Sequence, residues 1–278
     1  MTKPLVDRTI LITGATDGLG RGLAHDLARR GAQLILHGRR PDALAQLADE
    51  LRSSGATVHP VLADFAELDD VRAAADDLIG RQLGIEVLIN NAGIGAGAPA
   101  PVTRATTTAG HELRFAVNYL APALLTARLL PVLRTRPGAR IINVASAGQQ
   151  ALDFTDLMLT RQYSGMRAYC QSKLALIMFG FDLADRFPAD QLTVNSLHPG
   201  SYMPTKMVLN FVGHSIDTLE TGINATSRLA HDPALATVTG AYFDIKRLAK
   251  ADPQAYDPTA RTHLRHLTEQ LLGEPICA

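Results

Sequence analysis

Residues Thr9 to Arg40 read TILITGATDGLGRGLAHDLARRGAQLILHGRR, and the periodicity of this stretch decides the fold. TILIT (Thr9 to Thr13) and LILH (Leu34 to His37) are short apolar runs of the kind buried on both faces of a parallel sheet. Between them, Leu19, Leu23, Leu27 and Ala28 form one stripe of a helix over Leu19 to Arg30, while Arg21, His25, Asp26 and Arg29 sit off it. Strand, helix and strand at this spacing predict a right-handed βαβ unit on a parallel sheet.

The alternation continues outward. VHPVLA (Val58 to Ala63), EVLIN (Glu86 to Asn90), RIINVA (Arg140 to Ala145), LTVNSL (Leu192 to Leu197) and AYFDI (Ala241 to Ile245) read as further strands. Pro41 to Leu51 is a second amphipathic helix with proline in its first turn, and two long apolar helices are expected over Leu113 to Leu133 and Ala168 to Phe187. GAGAPAP (Gly95 to Pro101) reads as a flexible loop, and no linker or repeat divides the chain. The expected fold is therefore α/β: a single domain over residues 1–278, a doubly wound parallel sheet of about seven strands with helices on both faces.

Composition narrows the function. The chain has 278 residues, 46% hydrophobic and 19% charged, which is enough apolar material for a sizeable core and too little charge for disorder. Its 27 basic and 27 acidic side chains cancel, so it lacks the basic field that nucleic acid requires. Cys170 and Cys277 make neither a disulfide framework nor a ligand set, and the scattered histidines show no metal spacing. The N-terminal apolar run is too short for a signal peptide. No continuous apolar run approaches the ~18 residues of a membrane span. A cytoplasmic protein with no nucleic-acid partner, no metal and no membrane span is expected.

The first strand runs directly into Thr13-Gly14-Ala15-Thr16-Asp17-Gly18-Leu19-Gly20 and a helix. Gly14 permits a tight turn, while Gly18 and Gly20 remove Cβ atoms where a pyrophosphate and the neighbouring strand approach. The helix N-terminus adds free N–H groups and partial positive charge. The second strand ends at His37-Gly38-Arg39-Arg40, without the acid that would bind an NAD ribose. Arg39 and Arg40 offer guanidinium groups for a 2′-phosphate, so NADP is favoured and NAD remains open; the plain alternative is a solvated basic turn. Asp17 would repel a phosphate unless it caps an amide or pairs with an arginine. Asp64, closing the third strand, is placed either to accept from an adenine amino group or to cap the next helix. At Asn90-Asn91-Ala92-Gly93, small residues let a ring lie against backbone and an asparagine amide can tie strands together.

The other end of the sheet carries the candidate chemistry. Ser146 follows the strand RIINVA at a carboxyl edge, where ligands of open α/β sheets bind. Tyr169 and Lys173 are four apart on a helix and project from one face. A neighbouring ammonium together with an oxidised nicotinamide would lower the phenol from its ordinary value near 10 and make it a general acid/base. The plain alternative is a surface aromatic beside a solvated lysine.

These motifs together resemble the short-chain dehydrogenase/reductase family, from Thr13 to beyond Thr205. AYCQSKLALIMF, the HPG turn and the tail from Gly240 to Leu272 resemble its branch of retinol dehydrogenases and protochlorophyllide reductases. The resemblance implies a Rossmann fold and a nicotinamide cofactor held by Gly14, Thr16, Asp17, Gly18, Leu19, Gly20, Arg39, Arg40, Asp64, Phe65, Asn91, Ala92, Gly93, Tyr169, Lys173, Pro199, Gly200 and Thr205. It implies that Tyr169 exchanges a proton with a carbonyl or alcohol oxygen and that Ser146 orients that oxygen. Lys173 would hold the nicotinamide ribose, and Asn118 would hold a water linking Lys173 to solvent. It implies a homodimer or homotetramer built on the apolar faces of Leu113 to Leu133 and Leu174 to Phe187. Two departures stand out: Asp17 occupies a place where many NADP-using relatives carry a basic residue, and the interval from Ser146 to Tyr169 is long. Gln149, Asp153, Asp156 and Arg161 lie in that interval, as substrate contacts or solvated charges. Ser201 to Gly222, with Met203, Met207, Leu209, Phe211 and Val212, is either a lid over a bulky lipophilic substrate or an ordinary amphipathic helix. Cys170 is expected to pack, and His198 to be satisfied by backbone.

Overall fold

The structure, a computed structural model, describes residues 5–6, 8–97, 103–206, 208–209 and 213–276; Met207, Phe211, Val212, Cys277 and the end of the GAGAPAP loop lie outside them. Strands β1 (Thr9–Ile12), β2 (Gln33–Gly38), β3 (Val58–Leu62), β4 (Ile85–Asn90), β5 (Ala139–Val144), β6 (Leu192–His198), β7 (Ala241–Asp244) and β8 (Arg247–Ala249) form one sheet in the order 3-2-1-4-5-6-7-8. All neighbours pair parallel except β7 and β8. The sheet thus has eight strands where about seven were expected. The eighth is three residues long and returns from β7 through a tight turn at Ile245, whose φ is +56°. Three residues are too few to show an alternation.

Helices α1 (Gly18–Arg29), α2 (Pro41–Ser53) and α6 (Leu219–His231) lie on one face; α3 (Leu68–Gly80), α4 (Leu113–Leu133), α5 (Gly165–Ala184) and α7 (Pro258–Leu272) lie on the other. Successive strand residues serve opposite cores: Ile10 and Ile12 pack under α1 and α6, and Leu11 packs with Leu120 and Leu174. That alternation explains why the strands read as unbroken apolar runs. The order reverses between β1 and β4. Here the Thr13 hydroxyl accepts from the amides of Asn91 (2.9 Å) and Ala92 (2.9 Å), and Asn91 Nδ2 donates back to Thr13 O (2.8 Å).

Two features bear on what the sequence led us to expect. The outer faces of α4 and α5, on which the homo-oligomer was predicted, are covered by the chain's own C-terminal segment. Leu264, Leu272 and Ile276 are buried in that core. Tyr119 Oη and Thr268 Oγ1 are 2.6 Å apart, Arg265 pairs with Asp182, and Glu274 bridges Arg72 and Arg128. Second, α4 is long and apolar enough to cross a membrane by length and composition, whereas the sequence reading allowed no such segment; 78% of its apolar window is buried inside the fold. Asn118 and Arg128 interrupt the run without making the helix polar.

Candidate active site

The glycine turn is shaped by contacts that a side chain would break. Gly14 (φ +65°) lies so close to Ala92 that a Cβ would stand 2.8 Å from its Cα, and a Cβ on Gly20 would meet Gly14 O at 2.2 Å. Gly18 (φ +48°) faces Thr205, whose methyl would be 2.9 Å from an added Cβ. The residues after β6 therefore reach across to the glycine loop. Leu19 turns its side chain into the core and leaves only backbone at the turn. Thr16 nests its methyl against Gly38.

Asp17 meets both conditions under which it tolerates a phosphate. Its Oδ1 caps α1 by accepting from Gly18 N at 2.8 Å, and its Oδ2 lies 4.0 Å from Arg40 and 3.2 Å from Lys206. Arg39 is exposed beside them, and no ion pair joins it to another described residue. Asp64 caps its own turn, accepting from Ala66 N at 3.0 Å, rather than α3. The ring of Phe65 is buried and stacked on His37 with centroids 4.1 Å apart, which leaves its backbone to face a ligand.

His37 is a residue the sequence reading passed over. Its Nδ1 accepts from Gly14 N at 3.2 Å, and its Nε2 lies 3.1 Å from Ala63 O. Burial pushes its pKa down to about 4, so the neutral ring ties the ends of β1, β2 and β3. Its place at the end of a buried strand, two residues before the arginines, was the available signal.

At the chemistry end, Ser146 closes β5 and its Oγ accepts from Gly148 N at 3.0 Å, which leaves the hydroxyl hydrogen to donate. The Tyr169 phenol, half-buried on α5, hydrogen-bonds with that serine. Lys173 is 5% exposed and donates to Val144 O at 2.8 Å. An ammonium has three donors, so two remain, beside Gly93, where an added Cβ would lie 3.4 Å from Nζ. Asn118 is buried in a π-helical turn of α4 (Ala116–Leu120); its Oδ1 accepts from Ile94 N, and its Nδ2 donates to Ile94 O and Ser172 Oγ. Only one lone pair of that side chain is left for a water. Pro199 and Gly200 are buried at the end of β6.

The expected lowering of the Tyr169 pKa is not found in the cofactor-free protein. Burial raises it, the Ser146 contact lowers it less, and Cys170 and Tyr202 raise it further. Lys173 does not offset this, because burial pushes its own pKa down to about 8 and its hydrogen bond points to β5. Desolvation of the phenolate outweighs the neighbour.

The remaining candidates are structural. Asp156 is held down to about 2 by the Thr160 and Arg161 amides, and Asp153 accepts from Thr155 and pairs with Arg167. Gln149 donates to Ser146 O and accepts from Asp252 N. The interval 147–164 is thus a pinned wall, rather than solvated charge. His198 is met by the Ser201 hydroxyl (3.2 Å), not by backbone, and Cys170 is buried.

A doubly wound sheet with a glycine turn at its switch point, and a tyrosine, lysine and serine at its carboxyl edge, defines a nicotinamide-dependent oxidoreductase. A family model for short chain dehydrogenase matches residues 8–213, and the chain belongs to the short-chain dehydrogenase/reductase family. It is 35% identical to human retinol dehydrogenase 13, over 96% of this chain and 85% of that one. It is 36% identical to the putative daunorubicin C-13 ketoreductase DnrU of Streptomyces sp. (strain C5), over 97% and 94%. Among solved structures it resembles landomycin C-6 ketoreductase LanV with bound NADP and rabelomycin: TM-score 0.68, 29% identity, 87% of this chain and 96% of that one.

Proposed function

We propose that the protein is an NADP(H)-dependent reductase of bulky lipophilic ketones or aldehydes, with Tyr169 as proton donor. The observation that carries this reading is the Tyr169 phenol in hydrogen-bonding reach of the Ser146 hydroxyl, with Lys173 buried one turn away on the same helix. The glycine cradle, the neutralised Asp17 and the free Arg39 fit an NADP molecule, which supplies a hydride when bound. The Ser146 hydroxyl donates to the substrate oxygen and orients it, and Tyr169 passes its proton to that oxygen. Lys173 binds a ribose hydroxyl through its spare donors. Because burial raises the tyrosine pKa, the phenol stands protonated at neutral pH, as a reduction requires. The pinned wall 147–164 and the exposed apolar side chain of Leu209 favour a large apolar substrate, in keeping with relatives named for retinol, daunorubicin and landomycin.

The test is NADPH oxidation by the purified protein with a carbonyl panel that includes retinal, polycyclic aromatic ketones and small ketones, repeated with NADH. Turnover of the large substrates with NADPH supports the reading. NADPH binding without oxidation by any carbonyl makes the chain a nucleotide-binding scaffold instead.

A further inference from the structure

Beside the site lies a buried ionic group that the chemistry above does not use. Arg114 and Glu112, 6% and 1% exposed, form an ion pair at 3.5 Å at the start of α4. Glu112 caps that helix, its Oε2 accepting from Phe115 N at 2.7 Å. Arg114 donates through Nε to Gly95 O (2.8 Å), through one terminal nitrogen to Ala96 O (2.9 Å), and through the other to Tyr163 Oη (2.6 Å). Tyr163 passes its own hydrogen to Glu112 Oε1 at 2.8 Å.

Taking two charges out of water costs more than such a pair generally returns in stability, so what the group fixes is geometry. Arg114 and Asn118 are four residues apart on α4, and between them they hold three consecutive residues of the loop after β4: Asn118 grips Ile94 by N–H and C=O, and Arg114 grips the carbonyls of Gly95 and Ala96. The third arm of Arg114 reaches Tyr163, the residue before the Ser164 cap of the helix that carries Tyr169 and Lys173. The rigid planar fork of a guanidinium spreads its donors over two carbonyls and a phenol at once, a span that a compact ammonium does not match.

We propose that Arg114, acting through Tyr163 and Glu112, is a positioning residue that locks the loop after β4 to the end of the 147–164 wall and so fixes the substrate carbonyl in line with Tyr169. The proposal rests on the reductase reading for its catalytic consequence, but the lock itself can be measured without turnover. Tyr163→Phe keeps the ring and removes both hydrogen bonds; Arg114→Lys keeps the charge and removes the fork.

The experiment measures amide hydrogen exchange, NADPH affinity by fluorescence, and kcat and KM with the best carbonyl of the panel, in wild type and both variants. In Tyr163→Phe, peptides covering 93–97 and 159–164 exchange about 10-fold faster while those of β1, β2 and β5 are unchanged. In the same variant kcat falls about 10- to 100-fold, and NADPH affinity stays within about 3-fold. Arg114→Lys gives a larger loss in the same direction. Unchanged exchange in those two segments overturns the lock, and faster exchange with unchanged kcat overturns its role in alignment. A wild-type protein that binds NADPH and reduces nothing defeats the proposed reaction instead; the exchange rates then decide the lock alone.

Discussion

The Lys173 ammonium lies 5.9 Å from the centre of the Tyr169 ring and donates to the Val144 carbonyl, so its hydrogen bond serves the sheet rather than the phenol. Keeping that charge in a buried place is unfavourable: its pKa falls from 10.5 to about 8. Between those values the unfolded chain binds a proton that the folded one does not. Stability of the cofactor-free protein therefore rises with pH across that window, and the full penalty applies at pH 7. Lys173→Met is expected to abolish turnover yet raise cofactor-free stability at pH 7 by about 1–3 kcal/mol, after allowance for the lost Val144 hydrogen bond. Urea unfolding without cofactor checks it. A destabilised variant would show that the Val144 contact outweighs desolvation.

Tyr169→Phe removes one oxygen. Turnover is expected to fall by about 10³-fold or more, in the range for loss of a positioned acid, with NADPH affinity nearly unchanged. Activity close to wild type in a steady-state assay would remove Tyr169 as the proton donor.

Cofactor choice is tested at Arg39, which follows β2, and at Asp17 in the glycine turn, which pairs with Arg40 and Lys206. Arg39→Ala is expected to weaken NADPH by about 1–3 kcal/mol and leave NADH almost untouched. Asp17→Asn keeps an acceptor for the Gly18 amide but frees Arg40 and Lys206 from their carboxylate, so NADPH should bind several-fold more tightly. Fluorescence titration with both cofactors decides. Equal losses for the two in Arg39→Ala would defeat the 2′-phosphate assignment.

Much of this site was legible before the fold was known, because local physics dictates it. A glycine is needed wherever the added Cβ would strike backbone, as at Gly14 and Gly20, and four-residue spacing on a helix puts Tyr169 and Lys173 on one face whatever packs around them. The partners of long-range contacts were not legible. Nothing near Asp17 in sequence announces Lys206, nothing near Arg114 announces Tyr163, and the π-turn holding Asn118 leaves no period of its own. The raised Tyr169 pKa of the chain alone was not legible for the same reason: spacing tells that an ammonium is near, but burial is a property of the whole fold.

The C-terminal helix makes the most direct test of how the outer face is covered. Leu264 is buried against α4 and α5, where a partner subunit was expected. With that face closed, the intact chain is expected to sediment at the mass of one chain. Leu264→Glu, which places a charge in the covering contact, should lower stability by about 3 kcal/mol or more and promote self-association through the uncovered face. A stable dimer of the intact chain that Leu264→Glu abolishes would return the face to a subunit interface.

His37 is neutral because its Nδ1 must accept the Gly14 amide while its Nε2–H meets the Ala63 carbonyl and its ring stacks on Phe65. Protonation would set one N–H against another at the turn where the pyrophosphate belongs. With a folded pKa of about 4 against 6.5, the unfolded chain gains a proton first as pH drops. Stability from this group is therefore whole above pH 6.5 and is lost progressively toward pH 4, by up to about 3 kcal/mol. His37→Gln, which lacks the titrating ring, should start less stable at pH 7.5 and lose less on acidification. Urea midpoints at pH 7.5, 6.0 and 4.5 compare the two slopes. Parallel decline would shift the acid sensitivity to the other histidines held low by burial, His59, His111, His198 and His231, and leave His37 as a packing residue at the turn.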